Sequence, residues 1–251
     1  MKSFVLSPNT AHIVHFFFEW LAIAIGIQVY RIQRSQLTQP GLLDKSHFGV
    51  IVACILGAAL GNKLVFWLEF PHLWKDISTN MALIFSGQSI VGGLLGGLLG
   101  VEIAKKLLHQ NRSTGDYFVL PILLGTVIGR IGCFLAGLND GTFGDPTSLI
   151  IGVDFGDGIA RHPTQIYEII FVSLWGTWLL KHRAHWLPVP GLMFKLYLAG
   201  YLLSRLAIDG IKPKPFLYAF SLSGIQVVCI IALALYLPLV WRDLRKLRHQ
   251  N

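Results

Sequence analysis

Apolar residues run almost unbroken through seven stretches, centred near Ala22, Leu56, Leu94, Val127, Val172, Leu198 and Ile231, and polar residues collect between them. A helix needs about 20 mostly apolar residues to cross the hydrocarbon of a bilayer. Each stretch is of that order, so the pattern predicts an all-α integral membrane protein with seven transmembrane helices. The first stretch, from about Ile13 to Tyr30, has no basic lead-in and no small-residue cleavage site, and it holds Glu19. It therefore reads as a retained span rather than a signal peptide. In the third stretch, Gly92, Gly96 and Gly100, with Gly93 and Gly97, recur every four residues. That spacing lets helix backbones approach closely, and Gly57 and Gly61 in the second stretch repeat it.

Composition sharpens this picture. Apolar residues make up 53% of the 251-residue chain and charged residues only 14%, where soluble domains carry about 25% charge. Net charge is +8, which in a soluble protein would point to nucleic acid. A mean hydropathy of +0.59 makes lipid the expected partner instead. Cys54, Cys133 and Cys229 all sit in apolar stretches at no metal-ligand spacing, so disulfide frameworks and zinc ribbons are excluded and no metal or other cofactor is expected. With neither low complexity nor a long linker, residues 1–251 read as one transmembrane domain.

Basic residues between the stretches orient it. Five fall in one set of alternating loops (Lys2, Lys75, Arg161, Lys212, Lys214) and twelve in the other, which includes Arg31, Arg34, Lys45, Arg112 and the run from Arg242 to Arg248. Basic loops stay in the cytoplasm. The amino terminus is accordingly expected outside and the carboxyl terminus in the cytoplasm, with an outer-face loop at about 138–161.

Ionisable groups within spans are costly and default to functional candidates. Arg130 lies late in the fourth stretch, and Tyr201, Arg205 and Asp209 recur every four residues along the sixth, on one helix face. Arg130 reads either as an arginine snorkelling to headgroups or as half of an anion site, and Arg205 either as the self-neutralising partner of Asp209 or as the other half. A guanidinium keeps its charge and presents a planar fork suited to phosphate oxygens. The outer loop opens with Asn139, Asp140 and Gly141 and closes with Arg161-His162-Pro163-Thr164-Gln165-Ile166-Tyr167-Glu168. Pro163 suits the first position of a helix, which would bring Arg161, Gln165 and Glu168 near one another. They would line a cavity or merely solvate a helix start. His162, Glu168 and Glu19, in that order, are candidates for a general base, and burial of Glu19 is expected to force pairing with an arginine or protonation. Cys133, three residues from Arg130, admits a covalent role but reads better as packing.

The strings Gly129-Arg130-Ile131-Gly132, with Gly141, and Arg161-His162-Pro163-Thr164-Gln165-Ile166-Tyr167-Glu168 resemble the prolipoprotein diacylglyceryl transferase family. Gly87-Gln88-Ser89-Ile90-Val91-Gly92-Gly93 is similar to its glycine-rich third helix, and Tyr201, Arg205 and Asp209 to its Tyr-x3-Arg-x3-acid helix. The resemblance implies a seven-helix enzyme of the bacterial inner membrane, with phosphatidylglycerol or a related anionic phospholipid as donor. It would move the diacylglyceryl group to the lipobox cysteine thiol of a preprolipoprotein and release glycerol phosphate. The departures mark a divergent branch: Cys133, Ala136 and Leu138 stand where the family has asparagine, asparagine and glutamate, Val91 where it has histidine, and Phe18-Glu19-Trp20 offers no match to its first-helix tyrosine. Arg130, Arg205, Tyr201, Asp209, Gln165, Asn139 and Gly141 are the expected substrate-binding residues, and His162, Glu168, Glu19 and Asp140 the expected acid–base residues. Two other readings stand beside this one, a non-catalytic lipid-binding or chaperone-like membrane protein and a small transporter.

Overall fold

Each of the seven apolar centres lies inside a long helix in the computed structural model, which describes residues 6–35, 45–75, 87–110, 113 and 115–249. The helices are α1 (Pro8–Ser35), α2 (Lys45–Glu69), α3 (Ile90–Leu107), α4 (Val119–Ala136), α5 (Thr164–Lys181), the short α6 (Arg183–Trp186), α7 (Leu192–Ile208) and α8 (Gly224–Arg248). A two-residue antiparallel pair, β1 (Val153–Asp154) and β2 (Ala160–Arg161), sits in the segment between α4 and α5. By length and composition four helices can cross a membrane: Pro8–Ser35, Phe48–Glu69, Gly115–Asp140 and Gly224–Arg248. The other three fall short for visible reasons. Helix α3 ends in Glu102, Lys105 and Lys106, α5 opens with Thr164, Gln165, Tyr167 and Glu168, and α7 has only 17 residues. Among the basic residues that orient the chain, Lys2 and Arg112 lie outside the described residues, as do the side chains of Lys45 and Lys75.

The helices form two compact units. One holds α1, α4, α5, α6 and α7 with the end of α8 from Tyr236; the other holds α2 and α3 with the start of α8 to Leu235. In the second unit the glycine stripes do what their spacing predicts. A Cβ on Gly61 would stand 2.3 Å from the Gly92 carbonyl oxygen, and one on Gly96 2.2 Å from that of Gly57. Backbone meets backbone there, so a methyl group has no room. Ser89 caps α3 by accepting from the Gly92 amide at 3.3 Å, and Glu69 Oε2 accepts from the Ile225 amide at 2.8 Å near the start of α8.

The first unit packs α1 on α4, α4 on α5 and α5 on α7. Gly132 lets α4 close onto Phe18, since a Cβ there would fall 2.5 Å from the phenylalanine Cβ. Asp116, in the turn before α4, accepts from the amides of Gly191 (2.6 Å) and Phe194 (3.0 Å), so it satisfies open donors at the head of α7. Helix α5 begins at Thr164 with Pro163 as its cap, one position later than a proline in the first turn would place it.

Candidate active site

Three helices of the first unit each send one charged side chain to a common point. Arg130 comes from α4, Glu168 from α5 and Arg205 from α7, and their residues are 6%, 1% and 4% exposed. Arg130 Nε lies 2.9 Å from Glu168 Oε2, and Arg205 donates through Nη1 to the same oxygen at 2.8 Å. Tyr201 donates its hydroxyl to Glu168 Oε1 at 2.8 Å, and Arg205 Nη2 donates to Asp209 Oδ1 at 3.1 Å. The spacing along α7 explains why one helix supplies three of these groups: Tyr201, Arg205 and Asp209 sit one turn apart on one face. On α5 the three-residue step from Gln165 to Glu168 does the same.

Charges this deep persist only when paired and hydrogen-bonded. Glu168 meets that requirement for both guanidinium groups at once, which holds them together instead of letting them repel. Not every donor is used. Nε of Arg205 is buried without a hydrogen-bond partner, and Nε of Arg130, though close to the carboxylate, is not aimed along a hydrogen bond. The remaining Arg130 contact is a long one, Nη1 to Cys133 Sγ at 3.8 Å. Each guanidinium has five N–H donors, so the pair retains capacity for an added anion. Gln165 Nε2 donates to Thr142 Oγ1 at 3.1 Å while its Oε1 is buried without a partner. Lys212 follows the turn Asp209–Ile211, half-buried; burial, then the nearby Arg205 charge, push its pKa down to about 8.

The expected residues divide sharply in this geometry. Arg130, Arg205, Tyr201, Asp209 and Glu168 come together, while Gln165, one turn before Glu168 on α5, reaches Thr142 instead. Arg161 does not join Gln165 and Glu168: both its terminal nitrogens donate to Asp157, each at 2.7 Å, and this pairing, at the exposed hairpin, holds the Asp157 carboxyl down to about 2. His162 is held through Nδ1 to the Tyr167 hydroxyl at 3.1 Å. Glu19 pairs with no arginine among the described residues; α1 leaves it half-exposed, so the burial that would demand a partner is missing. Asn139 is exposed, and Gly141 closes the turn after α4 with φ +66°, a left-handed conformation that suits glycine.

Asp140 holds a place that its neighbours in sequence do not reveal. Its Oδ1 accepts from Nδ1 of His15 on α1 at 2.7 Å, and its Oδ2 accepts from the Thr142 hydroxyl. Donor atoms of His15, Cys133 and Asp140 all lie within 4.8 Å of one another, a set of the kind zinc accepts. Sequence reasoning missed His15, Thr142 and Lys212. The rule that singled out Glu19, an ionisable group within an apolar stretch, applies equally to His15.

The chain matches the family model described as prolipoprotein diacylglyceryl transferase over residues 16–242. Curated proteins named phosphatidylglycerol–prolipoprotein diacylglyceryl transferase are similar to it. One from Dehalococcoides mccartyi is 34% identical over 80% of this chain and 79% of its own length. One from Clostridium tetani is 30% identical over 77% and 79%, and one from Chlorobaculum tepidum 28% identical over 94% and 86%.

Proposed function

Because the chain belongs to the prolipoprotein diacylglyceryl transferase family, we propose that Arg130 and Arg205, held in register by Glu168, bind the phosphate of phosphatidylglycerol while its diacylglyceryl group is transferred to the cysteine thiol of a prolipoprotein. The activity itself is that of a membrane diacylglyceryl transferase releasing glycerol phosphate. The observation that carries the site assignment is one carboxylate oxygen shared by two buried guanidinium groups from different helices, 2.9 and 2.8 Å away.

Attack of the thiolate sulfur on the glyceryl carbon breaks the carbon–oxygen bond to phosphate, and negative charge grows on the departing glycerol phosphate. Fixed cations in a water-poor site favour that charge over the more dispersed charge of the diester. Tyr201 and Asp209 orient the carboxylate and the Arg205 fork, and Gln165 fixes the entrance through Thr142. Lys212 adds a third positive group while it is protonated. Orientation follows from the loop charges: seven spans, amino terminus outside, the site near the outer surface of a bacterial inner membrane, and acyl chains leaving sideways between helices.

The test is release of glycerol phosphate by the purified protein in detergent micelles containing phosphatidylglycerol and a lipobox peptide. Turnover by the parent, with a loss of at least about 100-fold in both Arg130→Ala and Arg205→Ala, is the expected result, since removing one oxyanion donor elsewhere costs about 10²–10³. Turnover that survives either substitution would remove the arginine pair from the mechanism.

A further inference from the structure

Transfer to a thiol needs a group that removes the thiol proton. Glu168 is unsuited, because two guanidinium groups and the Tyr201 hydroxyl hold it as an acceptor of their hydrogen bonds. His162 has a tyrosine hydroxyl on its Nδ1, not a carboxylate that would stabilise an imidazolium. A further imidazole, that of His15, lies beside Cys133, whose sulfur is 3.8 Å from Arg130 Nη1. On the transferase reading given above, we propose that His15, oriented by Asp140, is the general base that takes the proton from the acceptor thiol.

Geometry assigns the roles within the pair. An ionised carboxylate only accepts, so the 2.7 Å contact places a hydrogen on Nδ1 of His15 and makes Nε2 the nitrogen that takes the proton in the proposed step. Asp140 is itself fixed by the Thr142 hydroxyl, whose oxygen accepts from Gln165. The carboxylate side chain is 6% exposed and the imidazole 35% exposed, so the orienting group is buried while the base is open to an incoming chain. Position follows from Cys133: its sulfur lies within 4.8 Å of the His15 and Asp140 donor atoms and 3.8 Å from Arg130 Nη1. One α4 side chain therefore separates the imidazole from the guanidinium of the phosphate site. The titratable and charged groups around His15 are Asp140, Cys133 and Arg130 from α4 and the turn after it, with His12 and Glu19 one turn away on α1; Asp116 and Tyr117 lie at the opposite end of α4.

The 2.7 Å contact with Asp140 gives the His15 imidazolium a carboxylate to stabilise it once it has taken the proton, and that sets His15 ahead of Glu19 for a thiol. In the step, Nε2 takes the S–H proton and the thiolate electron pair forms the bond to the glyceryl carbon. The carbon–oxygen bond to phosphate breaks with its electrons on oxygen. The imidazolium, stabilised by Asp140, then gives its proton to the departing phosphate monoester. Charge and atoms balance without a further reactant.

The full-length protein is assayed in micelles with phosphatidylglycerol and a peptide carrying a single cysteine, across pH 6 to 9. His15→Gln is expected to lower turnover at pH 7 by about 10²–10⁴ while leaving the affinity for a fluorescent phosphatidylglycerol analogue unchanged. Its residual rate should climb about tenfold per pH unit toward the thiol pKa near 8.5, because solvent then supplies the thiolate. Asp140→Asn should show the same pH trend with a smaller loss. A His15→Gln defect that stays constant across pH, or full turnover by that variant, overturns the proposal. So does wild-type activity that 1,10-phenanthroline abolishes and zinc restores, since His15 would then be a ligand. No glycerol phosphate from the wild-type protein would instead defeat the transferase reading, and the base with it.

Discussion

A carboxylate shared by two guanidinium groups is first of all an organiser. Removing its charge leaves two buried cations facing each other, and breaking such a pair costs about 3–5 kcal/mol. Glu168→Gln is therefore expected to lower the thermal unfolding temperature in detergent far more than Asn139→Ala, since Asn139 is exposed. Equal midpoints would contradict this. Arg205→Lys keeps the charge but loses the fork that reaches Glu168 and Asp209 together; turnover should fall by about 100-fold with binding of an anionic lipid surface retained. Lys212 gives the site a pH dependence. Its proton is held less tightly in the fold, at about 8 against an ordinary 10.5. The added positive charge is present below pH 8 and lost above it, so the apparent KM for phosphatidylglycerol should rise between pH 7 and 9, and Lys212→Arg should flatten that rise. In the same protein the unfolded chain binds more protons between about 8 and 10.5, so this lysine makes stability increase with pH in that window. At this scale the arginines and the α7 triplet were readable because helical spacing alone puts them on a face. The pairing of Asp140 with His15 was not, because 125 positions separate them and only packing of α1 on α4 closes the gap.

Helix packing in the α2–α3 unit turns small-residue spacing into a contrast that can be measured. Gly93 and Gly96 belong to the two interleaved patterns in α3, yet a Cβ on Gly93 would sit at 3.9 Å from its nearest neighbour, whereas one on Gly96 would sit at 2.2 Å from backbone oxygen. Gly96→Ala is expected to destabilise by about 1–3 kcal/mol, the usual cost of overpacking, and Gly93→Ala to be neutral. Thermal unfolding in detergent distinguishes them, and equal effects would mean that the stripe does not set the approach of the two helices. The spacing announced a close contact; which of the glycines stands in it depends on the rotation of α3 against α2. Similarly, the motif that opens α5 was legible as a helix start, but Arg161 left it for Asp157 because the β1–β2 hairpin carries it toward the exposed Asp157.

At the scale of the whole molecule, the proposed orientation puts the segment between α4 and α5 outside and the end of α8 in the cytoplasm. Ile150, 98% exposed in the segment between α4 and α5, is a suitable probe. In spheroplasts, Ile150→Cys is expected to react with an impermeant maleimide, and Arg248→Cys only after the membrane is disrupted; the reverse order would invert the proposed topology. The sequence by itself determined the helical character of the seven apolar stretches, the close helix packing at the glycines and the family, because hydrophobic length and short-range periodicity are local properties of a chain. It also marked the two arginines, since charge in an apolar run is conspicuous wherever it occurs. Only the tertiary structure decided that one glutamate binds both, that Glu19 stays outside, and that a histidine from α1 meets an aspartate beyond α4. Those pairings join residues far apart in the chain, and they are selected by the need of buried polar groups for partners, which only the packed helices supply.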